Sequence, residues 1–139
     1  MNKCIAMLIF GVFMSRASYG NEGLPIKFIQ GCEADLNQDG VNDIALLYET
    51  SKNIELLVLL SDTSGGYTNF LISRDHVKYL NMYCQYGKQI TETISGEGKK
   101  NKIKTHVTNG VYLVLMQPES SSRAFYWKDD KFIQVWMSD

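Results

Sequence analysis

Short apolar and β-branched runs, each broken after a few positions by polar or glycine-bearing residues, recur from Pro25 to the end of the chain. The run at residues 26–30 comes first. Residues 44–49 and 54–61 follow, split by Thr50-Ser-Lys-Asn53, and two such runs around a polar turn predict a hairpin. Gly65-Gly66 then separates residues 56–60 from 67–72, another hairpin signal. Asn109-Gly110 is expected to join residues 102–107 to 111–116 through a type I′ turn, because both residue types tolerate φ > 0. Asp129-Asp130 is expected to turn residues 125–127 back onto 132–136. Residues 75–83 are ambiguous: Val77, Leu80 and Cys84 recur at helical spacing, and a short helix or an irregular strand both fit. The pattern predicts a mostly β domain, an antiparallel meander of about eight or nine short strands forming a sheet or sandwich.

Candidate chemistry is concentrated between the first two runs. The segment Asp35-Leu-Asn37-Gln-Asp39-Gly40-Val41-Asn-Asp43 places oxygen-bearing side chains at alternate positions and a glycine where the chain must fold back. Ca²⁺ takes about six to eight oxygens at roughly 2.3–2.6 Å. Asp35, Asn37, Asp39 and Asp43 side chains with the Val41 carbonyl are therefore the candidate ligands. An Asx-rich turn without metal uses the same residue types; strict alternation with Gly40 in register favours the cation.

The spacing is not that of an EF-hand, whose twelfth position is a bidentate Glu between helices; here that position is Leu46, inside an apolar run. The shorter loop, closing at Asp43 directly before a strand, resembles the FG-GAP and VCBS repeats of integrin-type propellers and bacterial surface proteins over residues 32–62. The resemblance implies side-chain ligation by Asp35, Asn37, Asp39 and Asp43 and carbonyl ligation by Val41. The chain departs from those repeats in carrying one copy, so it cannot close a propeller alone. The ending, residues 124–139, is also similar to that of small exported bacterial proteins with one such loop.

The N-terminus reads as a secretory signal peptide: a positive start at Lys3, an apolar stretch over residues 4–14, and Ser18-Tyr-Gly20 as a small-x-small cleavage site. Domain organisation is thus expected as signal peptide 1–20 and one calcium-binding β domain 21–139, periplasmic or secreted. The apolar stretch is shorter than the roughly 17–25 residues that span a bilayer, and Cys4 lacks a lipidation context, so no stable membrane anchor is indicated. Without Lys3 and Arg16, 14 − 2 = 12 basic side chains face 15 acidic ones, a net charge of −3 that argues against a nucleic-acid partner. Cys32 and Cys84 remain, and in an oxidising compartment one intramolecular disulfide is expected of them, with two buried thiols or an intermolecular bond as the alternatives.

Motifs for catalysis are missing. The chain has no G-x-S-x-G elbow, C-x-x-C or paired-histidine zinc spacing, and His76 and His106 stand apart. The lysine cluster of residues 97–104 reads either as a docking patch for an acidic partner or as a protected edge strand, with Lys102 and Lys104 on one face and Ile103 on the other. Tyr79, Tyr83, Tyr86, Tyr112, Tyr126, Trp127 and Trp136 can stack on sugars, anchor a protein or pack the sheet. The expected function is a non-catalytic protein-binding module holding Ca²⁺, concretely a periplasmic inhibitor or immunity-type protein. The alternatives are a carbohydrate or cell-surface adhesion module, then a small hydrolase requiring a histidine to meet a carboxylate.

Overall fold

A computed structural model describes residues 26–76, 80–96, 99–118 and 121–137. The expected signal peptide, Val77 and Tyr79 lie outside these residues. Among the described residues eight antiparallel strands form two four-stranded meanders. The first sheet runs β1 (Lys27–Ala34), β2 (Asp43–Glu49), β3 (Ile54–Ser61), β4 (Tyr67–Asp75); the second runs β5 (Asn81–Gly96), β6 (Lys99–Met116), β7 (Ser122–Lys128), β8 (Lys131–Met137). No helix occurs among the described residues, and the segment read as ambiguous is strand on both sides, ending β4 and opening β5.

Alternation along the strands builds the core. Ala45 and Leu47 of β2 and Leu56, Val58 and Leu60 of β3 point inward and meet Met82, Val111, Leu113, Leu115 and Phe125 of the second sheet. Burial of such side chains contributes about 25 cal/mol per Å² of apolar surface. A disulfide between Cys32 on β1 and Cys84 on β5, Cα atoms 6.0 Å apart, fastens the two sheets together. One strand turn away the Gln30 Oε1 accepts from the Met82 amide at 2.6 Å. A second, smaller apolar cluster lies on the other face of the second sheet, where Ile90, Tyr112, Val114, Ala124, Tyr126 and Val135 are buried. As the period of two predicts, Phe125 joins the first cluster and Ala124 and Tyr126 the second.

Of the two dipeptides expected to reverse the chain, Asp129-Asp130 does so and Asn109-Gly110 does not. Asp129-Asp130 forms the two-residue connection of β7 and β8 with φ of 51° and 59°, the double positive φ of a type I′ turn. Asn109-Gly110 is not a turn: β6 runs straight through it, and only Gly110, at φ 111°, is positive. Gly87 faces Gly110 and Gln89 faces Val107, so Thr108 and Asn109 together oppose Lys88 alone, which is a β-bulge. The Thr108 hydroxyl donates to the Gly87 carbonyl at 2.6 Å and accepts from the Gly110 amide at 3.1 Å, fixing the kink. The physical reason is β5: a partner strand long enough to pair with β6 on both sides of the dipeptide leaves no need for reversal there. Beyond the bulge, β5 and β6 continue as a two-stranded arm whose inward residue, Ile90, packs into the second cluster.

Candidate metal centre

The loop between β1 and β2 is organised by its own carboxylates. Asp35 Oδ1 accepts from the Asp39 amide at 3.1 Å and Oδ2 from the Gly40 amide at 2.9 Å. Asn37 Oδ1 accepts from the same Asp39 amide at 3.2 Å, so oxygens of Asp35 and Asn37 converge on one point. Asp39 Oδ1 caps the Val41 amide at 2.8 Å, and its Oδ2 accepts from the Asn37 side-chain amide at 3.1 Å. Positive φ at Gln38 (61°) and Gly40 (89°) folds the chain around this point. A Cβ on Gly40 would meet nothing within 4 Å, so glycine is needed there for the backbone angle and not for space.

Asp43 is wholly buried at the end of the same loop. Its Oδ2 accepts from the Leu36 amide at 2.8 Å and its Oδ1 from the Ser61 amide at 2.9 Å, tying the loop to the end of β3. The Ser61 hydroxyl adds a bond to the Asn42 carbonyl at 2.7 Å. Burial pushes the Asp43 carboxyl above its ordinary range and the charge of Asp39 adds to that, while the amides of Ser61, Leu36 and Asn37 pull it down. Among the described residues no lysine or arginine pairs with Asp35, Asp39 or Asp43.

Of the expected ligands, Asp35, Asn37 and Asp39 are thus drawn together through shared amides, and Asp43 anchors the loop from beneath. Among the described residues no group of three or more His, Cys, Asp or Glu side chains is gathered as a metal cluster. Asp35, Asp39 and Asp43 are therefore not gathered into such a group, and the other two expected ligands are the Asn37 amide oxygen and the Val41 carbonyl. Each carboxylate oxygen has two lone pairs, and the amide bonds to Asp35 occupy one on each oxygen, so the donor set keeps capacity for a hard cation. The turn at residues 62–66 shows what an Asx turn looks like in the same sheet: Asp62 accepts from the Ser64 amide at 2.8 Å, the Gly66 amide at 2.9 Å and the Ser64 hydroxyl, with no second carboxylate in alternation.

Sequence reasoning missed the supports of the loop. Leu36 is buried, its amide serves Asp43, and its carbonyl accepts from the Asn109 side chain at 2.9 Å across 73 positions of sequence. Nothing local signals that contact. The β6 bulge is therefore also the loop's neighbour, and a Cβ on Gly110 would stand 3.4 Å from Gln38 Nε2.

The other candidate residues are dispersed. His106 Nε2 meets Glu92 Oε2 at 2.8 Å and lies edge-on to Tyr126, centroids 6.2 Å apart; among the described residues no hydroxyl or thiol bonds its other nitrogen. His76 is exposed at the end of β4. Tyr112 and Tyr126 are buried, whereas Tyr83, Tyr86 and Trp136 are exposed, and Tyr83 and Tyr86 lie three positions apart on opposite faces of β5. No family model, curated protein or solved structure matches the chain.

Proposed function

We propose that this chain is an exported β domain that binds another protein without catalysis, its β1–β2 loop fastened by one Ca²⁺. The observation that carries the calcium is the company Asp43 keeps: a fully buried carboxylate that feels the charge of Asp39, satisfied by amides and without a cationic side chain among the described residues. Buried charge is costly unless it is paired or coordinates a metal, and a divalent ion turns the mutual repulsion of three aspartates into a fixed loop. Asp35, Asn37, Asp39, Asp43 and the Val41 carbonyl would hold it. The ion supplies no chemistry beyond its charge; it fixes the loop against Leu36, Ser61 and Asn109. The Cys32–Cys84 disulfide is compatible with a periplasmic or secreted location. The concrete role is that of a periplasmic inhibitor or immunity-type protein.

Immobilised mature protein, challenged with envelope extract with and without chelator, tests the reading. It predicts a saturable protein partner retained in Ca²⁺ and lost in chelator. Retention of polysaccharide instead, through exposed Tyr83, Tyr86 or Trp136, would favour the adhesion reading; turnover of a substrate by the purified domain would contradict both.

A further inference from the structure

We propose that the outer edge of β6 from Lys102 to Val107 receives an extended strand of a partner protein whose side chains alternate acidic and apolar. This rests on the reading above as a protein-binding module and names its surface. β5 is bonded to one side of this segment, while β7 pairs with β6 only from Leu113 to Met116, so among the described residues the other side of Lys102–Val107 is open. Six residues are the usual length of a strand. An open edge of that length offers a row of main-chain donors and acceptors, the basis of strand addition.

The two faces of the edge define the occupant. Pairs in register share a face, so Lys102 and Lys104 lie with Ile94 and Glu92, and Ile103, Thr105 and Val107 lie on the other with Thr91 and Gln89. The second face carries no charge. Ile103 is 73% exposed and Val107 70% exposed, values that leave both side chains standing in water. The first face is cationic and unpaired. Glu92, opposite Lys104, is engaged by His106 at 2.8 Å, and among the described residues neither Lys102 nor Lys104 forms an ion pair. Residues 88–107 hold five lysines against two glutamates, a net charge of +3 on an otherwise acidic chain. Edge lysines reject a second copy, since edge-to-edge pairing would oppose lysine to lysine. The same lysines admit glutamates or aspartates at alternate positions of an incoming strand, whose intervening residues then cover Ile103 and Val107. Protection alone would require the lysines but leaves the uncharged, β-branched opposite face unexplained.

The probe is a synthetic strand of about nine residues alternating glutamate with valine and threonine, titrated calorimetrically into Ca²⁺-saturated mature protein. Its controls are a lysine-for-glutamate version, a version with a central proline, a polyglutamate of equal length and vesicles containing phosphatidylglycerol. The alternating acidic strand should bind and the proline and lysine versions should not. Binding should weaken with salt and fall about tenfold in the double variant Lys102→Glu, Lys104→Glu, which should gain affinity for the lysine strand. Val107→Lys, distant from both lysines along the edge, should weaken binding without reversing charge preference. Equal binding of polyglutamate, binding of vesicles but not of the strand, concentration-dependent self-association through this edge, or an unchanged affinity in the double variant would overturn the proposal. If the strand fails while a calcium-dependent partner is still captured from extract, the binding-module reading stands and this edge is not its surface. If both fail, the module reading itself falls.

Discussion

The acidic loop at residues 35–43 and the basic arm formed by the far halves of β5 and β6 are the two charged regions of the chain, and they treat their charge in opposite ways. In the loop, carboxylates turn inward onto the amides of Leu36, Asp39, Gly40, Val41 and Ser61. In the arm, Lys102 and Lys104 are exposed, and the arm meets the body through buried Ile90 and the edge of His106 against Tyr126. The difference lies in the chemistry of the groups. A carboxylate can accept from backbone N–H and so organise a turn, whereas an ammonium on a long stem finds no comparable row of carbonyls on an open strand. A cluster of acids at alternate positions folds its own chain, and a cluster of lysines on a strand advertises an edge.

The largest expected effect bears on what both regions share. The Cys32–Cys84 bridge enters the loop three positions before Asp35 and sits in the half of β5 that precedes the arm. Reduction opens a separation of 52 residues and should cost about 4 kcal/mol if the bridge acts through chain entropy. It should also weaken Ca²⁺ binding, because a freer loop loses more entropy on closing around the ion. Denaturant melts and calcium titrations of oxidised and reduced protein check both; equal calcium affinity in the two redox states would separate the bridge from the loop.

Next in size is a change that should act on the arm alone. Ile90→Ala, at a residue 1% exposed, should cost about 3 kcal/mol and speed amide exchange across residues 88–107 while leaving the loop protected. Ile103→Thr, at the exposed face, should change stability by less than about 0.5 kcal/mol. If exchange in the loop accelerates as much as in the arm, the two regions are one cooperative unit and the contrast drawn between them fails.

A smaller effect reports on the first sheet, which carries the loop. Tyr48 donates to Glu55 Oε2 at 2.6 Å and Arg74 Nε to Oε1 at 2.7 Å, a row across β2, β3 and β4. The Tyr48 hydroxyl first, and Arg74 after it, hold the Glu55 carboxyl below its ordinary range against the opposing effect of burial, while burial first and then the same contact raise the Tyr48 phenol. A depressed carboxylate contributes stability that is present above its unfolded pKa and lost as pH falls through the folded value. Glu55→Gln should therefore cost about 1 kcal/mol at neutral pH, and the gap between the two proteins should close below about pH 4. A gap that persists unchanged at low pH would show that the carboxylate's charge is not what the row uses.

The first sheet was legible because its signals are local. Thr50–Asn53 and Gly65-Gly66 are followed or preceded by uninterrupted aliphatic runs, and every turn falls where polar residues break them. The second sheet was half hidden. β5 carries Asn81, Gln85, Lys88 and Gln89 among its apolar residues, and because Ile90 is the one apolar side chain its far half buries among the described residues, it lacks the apolar alternation that marks a half-buried strand. With β5 unseen, Asn109-Gly110 had no partner to run past and read as a reversal. The candidate ligands were legible from alternation alone, whereas Asp43's burial depends on Ser61 and Leu36, and the loop's seat depends on Asn109, contacts that only tertiary structure creates.

Thermal unfolding of the mature domain in chelator, Ca²⁺ and Mg²⁺ tests the central claim most directly, with Asp39→Ala and Asp43→Ala compared against Asp129→Ala. Asp129 lies in the β7–β8 turn, outside the alternating oxygens, and controls for loss of a negative charge. The account predicts a clear rise in melting temperature with Ca²⁺ and a smaller one with Mg²⁺, which demands a tighter octahedron and dehydrates reluctantly. That rise should vanish in Asp39→Ala and Asp43→Ala and persist in Asp129→Ala. Identical melting curves in chelator and Ca²⁺, or loss of the calcium response in Asp129→Ala, would contradict it.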